Sequence, residues 1–109
     1  MNNRERIRTR YQKDPLPVRL AGLAADLARV ASSARHATSG DAVAMMLEES
    51  QYFIEWTAAE VAEDLVNLQV MLALWRRAWP EVQHSQLQRS LLAAQAKQRS
   101  DQVLRYAMA

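Results

Sequence analysis

The residues of this chain best suited to chemistry are its carboxylates, its histidines and its tryptophans. Glu48 and Glu55 are seven apart, so on a helix both lie on one side. Glu60, Glu63 and Asp64 form a second acidic cluster. Paired carboxylates could serve acid–base work or a dinuclear metal centre. Such a centre, however, needs a Glu-x-x-His motif on each of two helices besides a glutamate on each of two others. His36 has no glutamate three residues before it, so the pair of motifs is incomplete and no metal is expected. The absence of cysteine excludes disulfides and thiolate zinc sites. Two glycines are too few for a phosphate-binding loop. No serine stands in a family-like arrangement with a histidine and an acid. The expectation is a chain without catalytic residues, metal or cofactor, acting by binding and not as an enzyme.

Whatever these residues do, helices must position them. The stretch 52–80, YFIEWTAAEVAEDLVNLQVMLALWRRAWP, holds all three tryptophans and the only phenylalanine, and the rest of the chain is expected to arrange itself around it. Val61, Leu65, Leu68, Leu72, Trp75 and Trp79 recur at steps of four and three, which returns them to one side of a helix. Trp75 and Trp79 on that stripe, with Trp56 ahead of it, are core residues or else a candidate interface or ligand pocket. Leu20, Leu23, Leu27, Val30 and Ala34 make a similar stripe over 16–37, flanked by alanines that let a neighbouring helix approach closely. Pro15 and Pro17 suit the start of that helix, and Arg35 and His36 its negative end. Gly22 in its interior costs up to about 1 kcal/mol, which close packing would explain.

Thr38-Ser39-Gly40-Asp41 reads as a turn, with Ser39 or Asp41 capping a helix over 41–56. Its buried side is expected to be Val43, Met46, Leu47, Ser50, Phe53 and Ile54. Thr57 and Glu60 have the spacing of a capping box, so a fresh helix is expected over 57–79. Arg76 and Arg77 would complement its C-terminus, and Pro80 would close it. The alternative, one rod over 41–79, would be about 60 Å long, too long for so small a chain to cover. Ser85 and Gln88 fit a second, weaker box for a helix over 85–107. That helix has two thin faces: Leu87, Leu91, Ala94 and Gln98 on one, Leu92, Ala96, Val103 and Ala107 on the other. Such a helix touches two neighbours or a second subunit.

At 109 residues the chain is read as one helical domain, 15–109, behind a basic arm, 1–14. The arm carries Arg4, Arg6, Arg8, Arg10 and Lys13, with only Ile7 and Tyr11 large and apolar. Those two offer little to offset ordering entropy, so the arm is expected to be mobile until something binds it. It is a solubilising tail or a hook for nucleic acid, anionic lipid or an acidic partner. The charges are segregated: residues 41–75 hold seven acidic groups and no basic ones, whereas 76–109 hold six basic and two acidic. The acids need cations alongside, from the first and fourth helices or from another copy. A net charge of +2 is too small to imply a polyanion partner by itself. No apolar run approaches the roughly eighteen residues of a membrane span, and nothing resembles a secretory leader; a cytoplasmic location is expected.

At Leu47-Glu48-Glu49-Ser50-Gln51-Tyr52-Phe53-Ile54-Glu55-Trp56-Thr57-Ala58-Ala59, and again at Leu68-Gln69-Val70-Met71-Leu72-Ala73-Leu74-Trp75, the chain resembles a group of small, uncharacterised all-helical cyanobacterial proteins. The resemblance covers most of residues 16–107, implies a helical fold, and brings no activity or binding residue with it. The sequence thus predicts an all-α, up-down antiparallel bundle of about four helices with a flexible arm. Its expected role is a protein–protein interaction module, most simply a homodimer. A nucleic-acid-associated regulator using the arm and fourth helix, or a sensor with a tryptophan-lined pocket, are the alternatives.

Overall fold

The computed structural model describes residues 2–61 and 63–109, and of Asp64 only the backbone. Among the described residues there are five α-helices and no strand: α1 (Asn3–Lys13), α2 (Leu16–Ser33), α3 (Gly40–Thr57), α4 (Glu63–Val82) and α5 (Gln86–Met108). Short 3-10 turns at Ala37–Ser39 and Ala58–Glu60 join α2 to α3 and lead out of α3. The molecule measures 38 × 34 × 19 Å, and its short dimension is about two helix diameters.

The helix with the broadest contacts is α2, not the tryptophan-bearing α4: it packs against α5 and α3. Its stripe residues Leu20, Leu23, Leu27, Val30 and Ala34 are all buried, as their spacing predicts. Ala24 and Ala31 of α2 are buried too, as are Ala93 and Ala96 of α5. Small side chains on both partners let the two helices close up, and Ser100 Oγ reaches across to donate to the Ala24 carbonyl at 2.7 Å. Helix α3 buries Val43, Leu47, Ser50 and Ile54, with Met46 and Phe53 partly buried. From α4, Leu65, Leu68, Leu72, Trp75 and Trp79 enter the same core.

Three boundaries differ from expectation. Helix α2 stops at Ser33, so Arg35 and His36 lie beyond it and its last turn carries no cation. The break after α3 occurs where it was expected, but the Thr57–Glu60 capping box does not form. Thr57 is still helical, and its hydroxyl is committed to the Phe53 carbonyl at 2.8 Å and to Tyr11. The chain turns instead through Ala58–Glu60 into extended backbone at Val61, which lies outside the helix. Pro80 does not end α4, which runs on to Val82. Proline loses one helical hydrogen bond but has the right φ, and the indole of Trp79, bonded to the Gly40 carbonyl at 2.8 Å, holds that turn in place. The α4 end is then covered by Arg89 of α5, which donates to the Gln83 carbonyl at 2.8 Å. Arg76 and Arg77 sit too far back to do so. The Ser85 box is half present: Ser85 Oγ accepts from the Gln88 N–H at 3.2 Å.

The largest difference is at the start of the chain. Residues 3–13, expected to be a mobile arm, form α1, so there are five helices where about four were predicted. Asn2 and Glu5 make a capping box: Asn2 Oδ1 accepts from the Glu5 N–H at 2.8 Å, and the Asn2 N–H donates back to Glu5 at 3.3 Å. Tyr11 is buried and anchors the helix to the body, which the thin Ile7/Tyr11 pairing in the sequence underestimates.

Candidate functional site

The sequence-predicted site residues separate into three places. Trp75 and Trp79 are core residues, 6% and 2% exposed, and each indole N–H is satisfied: Trp75 by Gln95 Oε1 at 3.2 Å, Trp79 by Gly40. They do not share a pocket with Trp56. Trp56 is half-buried in an aromatic cluster where α1 crosses α3. There the Tyr11 and Phe53 rings stack at 4.4 Å and 9°. Trp56 tilts against both, and Tyr52 stacks on Trp56 at 5.7 Å. The arm cations take a third position. Arg4 turns inward, its guanidinium 4.2 Å from the Tyr52 ring centre and 2.9 Å from Glu48. Arg6, Arg8, Arg10 and Lys13 are exposed and make no ion pair among the described residues.

Beside this cluster α1 and α3 leave a groove of about 360 Å³. Ile7 and Met45 form its walls, Tyr52, Phe53 and Trp56 its floor, and Arg4, Glu48 and Glu49 its polar rim. Glu48 is shared between Arg4 and Arg76 of α4, the latter at 3.7 Å. Glu49 has no cation within ion-pair distance among the described residues. Its neighbour is another carboxyl, Asp26 of α2, only 1% exposed. Burial, then the hydrogen bond and charge of Glu49, push the Asp26 carboxyl up to about 7, against the opposing pull of Arg29. Asp26 Oδ2 has no donor, while Oδ1 takes Arg29.

A second polar junction closes the corner where α1, α2 and the turn after α3 meet. Arg19, buried on α2, makes a bidentate pair with Glu60 at 2.6 and 2.8 Å and donates through Nε to the Asp14 carbonyl at 3.1 Å. Glu60, exposed, is held below the usual carboxylate range by that hydrogen bond. The Tyr11 hydroxyl lies 2.9 Å from Thr57 Oγ1, and burial raises its pKa.

No family model, no curated protein and no solved structure matches this chain.

Among the described residues no group of three or more His, Asp or Glu side chains could hold a metal ion. Glu81 and His84 do have Glu-x-x-His spacing, but both are exposed at the end of α4, with no second motif facing them. In the cluster Glu60, Glu63 and Asp64, the Asp64 side chain lies outside the described residues; Glu60 is taken by Arg19. No helix among the described residues is long and apolar enough to cross a membrane. Sequence reasoning missed Asp26 and Arg19. The only signal for either is a charged residue beside the apolar stripe of α2, and its significance depends on what α3 and the turn place opposite.

The fourth predicted helix, α5, engages three of its four cations within the chain; Arg105 is exposed and makes no ion pair among the described residues. Arg89 is buried at the end of α4, Lys97 pairs with Asp101 at 2.7 Å, and Arg99 donates to Gln102. Among the polar residues that α5 leaves outside stand two large apolar ones, Leu87 and Leu91, 69% and 57% exposed. Across the Gln83–Ser85 connection, Val70 and Leu74 of α4 are 60% and 56% exposed.

Proposed function

We propose that this chain is a non-enzymatic protein–protein interaction module that pairs with a second copy through the outer side of its last two helices. In this reading α2 to α5 form an antiparallel, up-down bundle, with α1 strapped across α3. The observation that supports pairing is the set Val70, Leu74, Leu87 and Leu91, each more than half exposed. They occur as two i, i+4 pairs on consecutive helices, which suits a self-complementary contact about a two-fold axis. Exposed large apolar side chains that share a face mark interaction surfaces, and in this reading the two pairs form one such face.

The test is sedimentation equilibrium of the full chain at tens of micromolar. The expected result is a dimer that becomes a monomer of unchanged helicity when Leu87 and Leu91 are both replaced by aspartate. A wild-type monomer, or a dimer indifferent to L87D/L91D, counts against the reading. A second reading, nucleic-acid binding, is supported by the four unpaired cations Arg6, Arg8, Arg10 and Lys13 on α1. It expects salt-dependent binding that disappears when residues 1–14 are deleted. Three of the four α5 cations are engaged within the chain, which leaves Arg105 alone to add to α1 in that reading.

A further inference from the structure

We propose that the groove between α1 and α3 is a binding site for a small aromatic amine, its ring against Ile7, Met45 and Trp56 and its ammonium group on Glu49. The site is separate from the α4–α5 face and does not depend on it.

The groove, at about 360 Å³, is the size of a compact ligand pocket. Its apolar lining comes from both helices, Ile7 of α1 and Met45 of α3, so a ring would touch apolar side chains of each. Met45 is 71% exposed, and its flexible side chain can fold over an occupant of the groove.

Two observations fix the charge of the occupant. The Tyr52 ring already accepts a cation on its face, the Arg4 guanidinium at 4.2 Å, so the electrostatics of this floor favour positive charge. On the rim, Glu48 is satisfied twice over by Arg4 and Arg76, but Glu49 has no cation within ion-pair distance among the described residues and interacts with the buried carboxyl of Asp26. Behind Glu49, the 1%-exposed Asp26 keeps an oxygen without a donor. An ammonium group on Glu49 relieves the repulsion between the two carboxyls, which a neutral or anionic ligand cannot do. An anion would also meet Glu48 and Glu49 directly.

The three tryptophans give a selective readout, because only Trp56 lines the groove. The indole N–H resonances of the full-length protein would be followed by NMR during titration with phenethylammonium, 2-phenylethanol and phenylacetate. W56F assigns the Trp56 signal. The expected result is a saturable shift of that signal alone, half-complete below about 1 mM phenethylammonium. Binding of 2-phenylethanol should be about tenfold weaker or worse, phenylacetate should give no saturable shift, and E49Q should lose the preference for the amine. No saturation with the amine, equal binding of the anion, or shifts spread over all three indoles would overturn the proposal. An unchanged preference in E49Q would remove Glu49 from it.

Discussion

Asp26 shows how one residue ties stability to pH. Its unfolded-state value is the ordinary 3.8, and burial beside Glu49 raises the folded value to about 7. A folded state that holds its proton more tightly than the unfolded chain loses stability as pH climbs between those two values, and remains at the lower level above them. The expected outcome for D26N is therefore a gain at pH 8 of roughly 1–2 kcal/mol, allowing for the opposing Arg29 pair, and a much smaller gain at pH 5. Thermal melts at the two pH values check it; a parallel loss at both would mean that the Arg29 pair outweighs the buried charge. Tyr11 is the other residue on which much depends. Y11F removes a hydroxyl that meets Thr57, at a cost of about 1 kcal/mol, but keeps the stack on Phe53. Y11A removes the anchor of α1 altogether. Trypsin should then cut rapidly after Arg8 and Arg10 in Y11A while leaving the wild type and Y11F largely intact at those bonds.

Among the elements, α2 carries a residue that works against it. A side-chain carbon built on Gly22 would meet nothing within 4 Å, so close packing is not the reason for that glycine. G22A should stabilise the fold by about 0.4–1 kcal/mol, by restricting the unfolded chain and improving helix propensity. Chemical denaturation with an unchanged slope would verify it. Gly40 is the opposite case, since an added carbon there runs into the Gln83 side chain at the connection to α5. The boundaries of α3 and α4 teach the same point about local signals. A capping box at Thr57 is a genuine preference, yet the hydroxyl finds Tyr11 and Phe53, which the local sequence does not reveal. Pro80 is a genuine helix breaker, yet the core position of Trp79 carries the helix past it.

At the scale of the whole molecule, the apolar stripes of α2, α3 and α4 all converge, and the second thin face of α5 joins them through Leu92, Ala96 and Val103. The first face of α5 is left over. If it is covered by a second copy, stability is linked to association, and Tm should rise with protein concentration across a hundredfold dilution series. L87D/L91D should abolish that dependence without lowering the helical signal. Among the described residues, two of the acids of residues 41–75 find cations within the chain: Arg4 and Arg76 meet Glu48, and Arg19 meets Glu60. The outer row of α1, Arg6, Arg8, Arg10 and Lys13, makes no ion pair among the described residues.

The helical class and the buried stripes, Trp75 and Trp79 included, were legible because they follow from spacing alone: an apolar residue every three or four positions needs no knowledge of its neighbours. The break near residue 57 was legible from the length of rod so small a chain can cover, although the capping box that marked it does not form. The order of α1 and the junctions of Asp26 with Glu49 and of Arg19 with Glu60 were not legible. Each is a contact between residues distant in sequence, whose sign and strength depend on what the fold brings opposite. A carboxylate in a sequence is an ordinary acid; only burial against a second carboxylate makes it hold a proton near neutral pH.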